Sequence, residues 1–299
     1  MSVQNLSSLV QIGIATKNRW ADLKLTLEKL RDFGLGEMRV IIFDDHSDTP
    51  APFDVSALCA GAEIKRFDGS RGYIIRRNEI AGVMDAKYYL SLDDDSFPVG
   101  GSLEAAVAYA ESLSDNFCLG FPICGPHNGT SPEGKLLNGK SVEDAPADLP
   151  HQVRSFVGCA HLLDRQRFLA LGGYKGELIH QGEENEIAVR AFQKGLLCRR
   201  FYGFEIAHMA TNVGRSFYRM DFYGARNTLL WNDWYLPPEQ KLVRQGRAIA
   251  NRAYSFALTR RVGHMRGSLA GLQDIRRYKR YRRPLSPSQY REWQKLPPS

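Results

Sequence analysis

Three consecutive aspartates follow the apolar run from Tyr88 to Leu92, and their spacing could support metal chemistry. Adjacent carboxylates repel one another, and a bound cation is the simplest way to offset that cost. Hard oxygen ligands favour Mg2+ or Mn2+, which complete their shells with water and phosphate oxygens. Side chains alternate along a strand, so Asp93 and Asp95 are predicted to share the cation while Asp94 faces the other side, unless the strand has already turned. The alternative is an acidic turn that caps the next helix.

Two further polar clusters also follow apolar runs. Thr16 to Arg19 comes after the run Val10 to Ala15, and Asp44 to Ser47 comes after the run Met38 to Phe43. Ligands of open α/β sheets bind at the carboxyl ends of the strands. If these runs are strands of one parallel sheet, their polar ends lie at one edge of it, and that edge is the candidate site.

The segments around these clusters alternate between strand-like and helix-like patterns. Leu23, Leu27 and Leu30 recur at helical spacing. A weaker strand pattern at Ala62 to Phe67 is followed by a helical pattern from Ile74 to Met84. Strands that alternate with helices predict an α/β fold with a mostly parallel, doubly wound sheet and helices on both faces.

The second half of the chain opens with a segment from Gly125 to Pro150 that is rich in Gly, Pro, Asn and acidic residues. It is too long for a simple connection, so we interpret it as a flap over the site. Regular structure is predicted again at Ser155 to Leu163, in a helix near Arg165 to Leu171 and in another helix that begins around Glu183.

The composition is that of a globular protein of 299 residues, long enough to bury a full core. Neither a basic start followed by an apolar stretch nor a run of roughly 20 apolar residues is present, so we expect a cytoplasmic protein. Five cysteines without a C-x-x-C pair fit neither a disulfide framework nor a zinc site. We therefore expect reduced cysteines that pack in the core.

The net charge of +7 is unevenly distributed. From Arg247 onward 13 Lys and Arg face 2 acidic residues, which gives this tail +11 and leaves −4 for the rest of the chain. A basic block on an acidic body usually indicates attraction to a polyanion such as nucleic acid, an anionic membrane surface or a phosphate-bearing substrate. A solvated helix face is the alternative.

Taken in order, these motifs resemble the inverting family 2 glycosyltransferases, which have the GT-A fold, and the resemblance runs from about Val10 to Trp231. Arg226 to Leu230 and Arg266 to Leu272 also resemble segments of bacterial rhamnosyl and polysaccharide transferases. The segments that carry the family resemblance are Thr16-Lys17-Asn18-Arg19, Asp44-Asp45-His46-Ser47-Asp48, Gly72-Tyr73-Ile74-Ile75-Arg76-Arg77-Asn78, Asp93-Asp94-Asp95, Leu171-Gly172-Gly173-Tyr174 and Gly182-Glu183-Glu184.

The resemblance implies a role for each motif. It implies a divalent cation, Mn2+ or Mg2+, on Asp95 and Asp93, with His208 completing the shell, and a nucleoside-diphosphate-sugar donor carrying UDP, dTDP or GDP. Asp45 would face the nucleobase, and Arg77 would lie near the donor. The full set of donor-binding residues implied is Thr16, Lys17, Asn18, Arg19, Asp45, Arg77, Asp93 and Asp94.

The resemblance also implies a catalytic base at the start of the Gly182 helix. Glu184 stands at the aspartate position of the family's Glu-Asp pair, and Glu183 is the alternative. The acceptor would be a hydroxyl of a glycan or of a lipid-linked glycan. Two residues depart from the family pattern: Glu184 replaces the aspartate, and His46 replaces a Gly or Asn after the paired aspartates.

We expect a GT-A domain at residues 1–240, with a nucleotide-sugar half up to about residue 123 and an acceptor half from 124, followed by a basic helical extension at 241–299. The extension is expected to touch the inner face of an anionic membrane. Two other functions compete with this interpretation. A nucleotidyltransferase would need a glycine-rich loop after the first strand, which Thr16 to Arg19 lacks, and the acidic body argues against a nucleic-acid-binding protein that stacks bases on Tyr278 and Tyr281.

Overall fold

The computed structural model describes residues 3–125, 152–211 and 216–298, so the predicted flap lies outside the described residues. The described part contains an eight-stranded sheet, in the order β3-β2-β1-β4-β9-β6-β10-β8, and a three-stranded sheet, in the order β5-β11-β7. The strands are β1 Val10–Thr16, β2 Val40–Asp44, β3 Ala62–Arg66, β4 Tyr88–Asp93, β5 Ser96–Gly101, β6 Asn116–Gly120, β7 Ile123–Cys124, β8 Gln152–Val153, β9 Ala160–Asp164, β10 Leu197–Arg200 and β11 Phe204–His208.

Helices cover both faces of the large sheet and form a separate C-terminal group. They are α1 Val3–Leu9, α2 Trp20–Asp32, α3 Val55–Leu58, α4 Tyr73–Val83, α5 Leu103–Glu111, α6 Arg165–Ala170, α7 Glu183–Gln193, α8 Phe217–Tyr235, α9 Pro238–Thr259, α10 Gly263–Arg277 and α11 Pro287–Lys295.

Strands β1 to β4 are parallel to one another, as the alternation of strand and helix patterns predicts. Strand β9 is antiparallel to both of its neighbours, β4 and β6. An apolar run predicts that a strand is buried, but the direction of that strand depends on how the chain returns to the sheet. The prediction of a mostly parallel α/β sheet is therefore confirmed, and the antiparallel strand at its centre was not foreseen.

The sheet separates two hydrophobic cores. Leu23, Leu27 and Leu30 of α2 are fully buried on one face, as their helical spacing predicts. The other face is covered by helices that include α4 and α7. A side chain at Gly13 of β1 would meet Ile80 of α4 at 2.5 Å, so only glycine lets this helix approach the strand so closely. This close contact places α4 beside the carboxyl ends of β1 and β4.

The small sheet brings a late part of the chain to the aspartates. Strand β11 pairs antiparallel with β5, and His208 lies opposite Ser96 in that register. The backbone N–H of Met209 donates to the carbonyl of Asp95 at 3.0 Å. Residues more than a hundred positions apart in sequence are thereby fixed next to each other.

The basic extension has two parts with different surroundings. Its end packs on the body, because Tyr290 and Trp293 of α11 are buried in the second core. Helix α10 lies along α8, and a side chain at Gly267 would come within 2.1 Å of the Phe222 carbonyl, so these two helices are in close contact. Helix α9 is largely exposed, with Gln245 as its one buried residue.

All five cysteines are free and buried, as expected from their spacing. Among the described residues, no helix combines the length and apolar character needed to cross a membrane.

Candidate active site

Asp93, Asp95 and His208 converge at the carboxyl end of β4. One ligand atom from each of these three side chains lies within 4.8 Å of the other two. Strand β4 ends at Asp93, the chain turns through Asp94 and Asp95, and β5 starts at Ser96. The turn does not disturb the alternation: Asp93 and Asp95 share the cluster, and Asp94 points elsewhere.

The cluster has the properties of a cation site. Asp95 Oδ1 is buried and accepts no hydrogen bond, and His208 Nε2 lies 3.3 Å from it. Burial favours the neutral acid, but the nearby His208 and Arg19 outweigh it and lower the pKa of Asp95 to about 2. Burial also opposes protonation of His208, but Asp95 and Cys159 outweigh it and raise its pKa to about 10. A buried, ionised carboxylate oxygen that faces an imidazole nitrogen at 3.3 Å fits a divalent metal, which would replace the imidazole proton.

Asp94 and Arg19 form the support behind this cluster. Asp94 Oδ2 accepts a 2.7 Å hydrogen bond from Thr16 Oγ1, and Arg19 Nε lies 3.3 Å from its other oxygen. Arg19 Nη2 also donates to Asp95 Oδ2 at 2.6 Å. Burial raises the pKa of Asp94 to about 7, although Arg19 and Thr16 partly offset this. Thr16 and Arg19 therefore fix the aspartates through direct contacts.

The loop after β2 is organised by Asp45. Its carboxylate accepts hydrogen bonds from Ser70 Oγ, the backbone N–H groups of Arg71 and Gly72, and Arg76 Nε, all between 2.6 and 2.8 Å. The carboxylate thus shapes the loop that leads into α4.

The loops after β1 and β2 are held by a hydrogen bond between them and by a residue in the left-handed conformation. Asn18 donates its backbone N–H to Ser47 Oγ at 2.8 Å, which joins the loops after β1 and β2. His46 has φ 66°, in the left-handed region where Gly or Asn is favoured, which explains why those residues occupy this position in the family pattern. Lys17, which the resemblance also placed among the donor-binding residues, is exposed at the surface.

Arg77 connects the metal cluster to the helix that carries the candidate bases. It is 3% exposed, its Nη2 donates to Asp93, and its Nη1 lies 3.6 Å from Glu183 Oε1. The same Nη2 donates to the Gly158 carbonyl at 2.9 Å. A helix arginine would ordinarily lie on the surface, so this buried bridge is a tertiary feature of the site.

Glu183 and Glu184 begin α7 and have different surroundings. Glu183 is 1% exposed and faces Arg77, and burial raises its pKa although Arg77 opposes the shift. Glu184 is partly exposed and lies against Gly158, where an added Cβ would be 1.9 Å from its Oε1. Burial, followed by repulsion from Glu183, raises the pKa of Glu184 to about 8. Glu183 is thus held by an ion pair, whereas Glu184 makes no salt bridge within the described part of the chain and is the better placed to exchange a proton.

The loop before α7 is strained and is held from α8. Ile179, Gln181 and Gly182 have φ of 63°, 66° and 88°, which is unfavourable for the two non-glycine residues. The side-chain amide of Asn227 donates to the carbonyls of Leu178, His180 and Gln181 at 2.8 to 2.9 Å.

Arg226 adds a second clamp, donating to the carbonyl of Glu177 at 2.9 Å and to Asp274 of α10 at 2.7 Å. Sequence reasoning assigned no role to Asn227 or Arg226. The sequence signal for both residues is the segment Arg226 to Leu230, which resembles segments of bacterial rhamnosyl and polysaccharide transferases.

These features define the class of protein: a GT-A fold with an acidic, metal-compatible cluster at the end of β4 and carboxylates at the start of a facing helix. The family described as "Glycosyl transferase family 2" matches residues 11–170, more than half of the chain. The chain belongs to this family. No curated protein sequence has significant similarity to it.

Solved structures with similar folds are glycosyltransferases of low sequence identity. S. aureus TarS 1-349 is 14% identical with a TM-score of 0.56, over 89% of this chain and 80% of that one. The mannosyltransferase PcManGT from Pyrobaculum calidifontis, in complex with GDP-Man and Mn2+, is 12% identical with a TM-score of 0.54. The alignment covers 96% of this chain and 78% of that one. GalNAc-T7 with UDP, GalNAc and Mn2+ is 17% identical with a TM-score of 0.54, and this chain covers 43% of that chain while 67% of this chain is aligned. At these identities the similarity establishes the fold.

Proposed function

We propose that the protein is a metal-dependent, inverting glycosyltransferase that moves a sugar from a nucleoside-diphosphate donor to a hydroxyl of a glycan or lipid-linked glycan. The observation that carries this proposal is that Arg77 contacts both Asp93 and Glu183, the residue next to Glu184 in sequence. This arginine links the cation-compatible cluster to the start of α7, which supports a shared role for the two. Two structurally similar proteins were solved with Mn2+ and with UDP or GDP-Man, which supports a nucleotide-sugar donor.

Asp93, Asp95 and His208 would hold the cation. Carboxylates suit Mg2+ and Mn2+, while imidazole suits transition metals, so this mixed set favours Mn2+. When bound, the metal neutralises the negative charge that develops on the departing diphosphate. Arg77 keeps Asp93 in position, and Arg19 does the same for Asp95.

Glu184 would act as the general base. The acceptor oxygen bonds to the anomeric carbon as the bond from that carbon to the diphosphate oxygen breaks, and the hydroxyl proton passes to Glu184. A single displacement of this kind inverts the anomeric configuration. The base must lie within hydrogen-bond reach of the attacking hydroxyl, and the clamped loop before α7 can fix that position.

Donor binding can be tested before any acceptor is known. UDP-, dTDP- and GDP-sugars should be screened for Mn2+-dependent thermal stabilisation, because a ligand that binds only the native state raises its stability. Stabilisation by one nucleotide class, lost in chelator, is the expected result. Equal stabilisation with and without Mn2+ would contradict metal dependence. Inversion is tested separately, by proton NMR of the anomeric configuration of the product.

We also propose that α9 and α10 contact an anionic membrane. Residues 238–277 contain nine Lys and Arg and two acidic residues. Eight large apolar side chains of this region are exposed by 40 to 79%: Leu242, Val243, Tyr254, Leu258, Val262, Met265, Leu269 and Leu272. An exposed apolar stripe with arginines beside it is typical of helices that lie in the membrane interface, and each cation near the surface adds about 1 kcal/mol.

Substitutions test this surface better than truncation, because removing the chain after Gln240 would also remove the buried Trp293. We expect Leu269→Glu combined with Leu272→Glu to reduce co-sedimentation with vesicles containing phosphatidylglycerol. Leu169→Glu, at an exposed site on α6, is the matched control. Unchanged sedimentation of the double variant would mean that the exposed stripe does not bind the bilayer.

A further inference from the structure

A groove of about 460 Å³ lies between the start of α7 and the C-terminal helices. Gly182 and Asn185, on either side of Glu184 in sequence, form part of one wall. Trp231 of α8 and Trp293 of α11 form other parts. The volume is in the range of sites for small molecules, and the groove borders the first turn of α7, the helix that begins with the candidate bases.

Two arginines in this groove have no carboxylate partner among the residues that the structure describes. Arg252 comes from α9, and its Nη2 is 3.8 Å from the position that a Cβ would take at Gly224. Arg154 is held by the C-terminal segment, where its Nε donates to the Leu296 carbonyl at 2.7 Å. That bond orients the guanidinium, and the carbonyl brings no negative charge to it.

Other cations nearby are paired. Arg226 contacts Asp274 at 2.7 Å, Lys241 contacts Asp233 at 2.5 Å, and Arg190 contacts Glu186 at 2.5 Å. Glu186 also lines the groove, but it is 1% exposed, and Arg190 and Tyr235 already bind it. Among the residues that the structure describes, the groove therefore has an excess of positive charge.

Trp231 supplies a flat surface next to the first turn of α7. Its indole Nε1 donates to the Asn185 carbonyl at 3.3 Å, which fixes the ring beside the first turn of α7. A partly exposed, fixed aromatic ring offers a large contact area at little cost in conformational entropy. The apolar C–H face of a sugar ring is suited to such a surface.

We propose that this groove binds an acceptor sugar bearing an anionic group, a carboxylate or a phosphate, which Arg252 and Arg154 recognise. Guanidinium groups match both anions in geometry and charge. The assignment rests on the proposed function, because it takes Glu184 as the base that the bound hydroxyl must reach. It adds that the acceptor is anionic and that the C-terminal helices select it.

The test uses three probes that differ only at carbon 6: p-nitrophenyl β-glucoside, p-nitrophenyl β-glucuronide and p-nitrophenyl β-glucoside 6-phosphate. Binding to the full chain with Mn2+ and the donor nucleotide is measured by saturation-transfer NMR. We expect at least one anionic probe to bind about 10-fold or more tightly than the neutral one. The stronger of the two anionic probes distinguishes a uronate from a phosphorylated acceptor.

Variants assign the selectivity to the groove. Arg252→Gln and Arg154→Gln should each reduce the preference for the anionic probe, and Arg252→Lys should retain part of that preference. Arg266→Gln, at an exposed position of α10, is the control and should leave the preference unchanged. Equal binding of neutral and anionic probes, or a preference that survives both Gln variants, would overturn the proposal. Mn2+-dependent nucleotide binding in the same samples tests the proposed function separately, since it should persist in Arg252→Gln.

Discussion

Replacing Glu184 by Gln should lower turnover and at the same time stabilise the fold at neutral and higher pH. The Gln side chain keeps the shape that fits against Gly158 but cannot accept the proton of the acceptor hydroxyl. We expect turnover to fall by roughly 100-fold or more, with donor binding retained. Wild-type turnover should rise with pH towards about 8, where Glu184 becomes ionised.

The stability effect follows from the pKa of Glu184, which burial raises from 4.5 to about 8. Between these values the unfolded chain has lost the proton that the folded protein still holds, so the stability of the wild type falls as pH increases. A full shift of this size corresponds to roughly 5 kcal/mol. Because Glu184 is partly exposed and Glu183 shares its surroundings, we expect about 2 kcal/mol, which is a difference in Tm of about 4 °C.

The assay is thermal unfolding of both proteins in chelator from pH 5 to pH 8, with product formation measured in parallel. The Tm of Glu184→Gln relative to the wild type should increase across this range. Glu183→Gln is the comparison variant, because it removes one of the two carboxylates that contact buried Arg77 and leaves Asp93 as the other. A Tm difference that does not change with pH would refute the burial argument. Near-normal turnover of Glu184→Gln together with loss in Glu183→Gln would move the base by one residue.

Three further substitutions test the support of the site. Asp95→Ala should abolish Mn2+-dependent stabilisation by the donor nucleotide, and turnover that persists in chelator would contradict the metal site. Asp94→Ala should keep that stabilisation but lower Tm, because Thr16 loses its buried partner; loss of metal dependence here would show that Asp94 is a ligand. Asn227→Ala removes an amide that holds three carbonyls of the strained loop. We expect the free energy of unfolding to fall by about 1 to 3 kcal/mol and kcat to fall as well. Nucleotide binding should be preserved and is the internal control.

The basic tail illustrates how one sequence pattern can have two outcomes. Its charge alone left open whether it binds a polyanion or packs on the body. In the structure Arg280 and Tyr281 contact Glu177, and Trp293 is buried, so the final part packs on the body. The arginines of α9 and α10 remain on the outside beside exposed apolar residues. Charge composition does not distinguish these cases, because the outcome depends on which apolar residues are covered.

The sequence by itself determined the local features of this protein. Apolar runs that end in polar clusters predicted the strands β1, β2 and β4 and the edge where their ends meet. This was possible because the burial of a strand and its hydrophobic periodicity depend on residues that are neighbours in sequence. Alternation along β4 also predicted that Asp93 and Asp95 share a site. The resemblance of the ordered motifs predicted the family that the comparison then showed.

Only the tertiary structure decided which distant residues complete the site. It placed His208 beside Asp95 through the pairing of β5 with β11, buried Arg77 between Asp93 and Glu183, and held the loop before α7 with Asn227. Each of these contacts joins elements that are far apart in the chain. Local patterns specify that a residue is buried or exposed, whereas its partner is set by the packing of whole elements, and that packing has no short-range signature in the sequence.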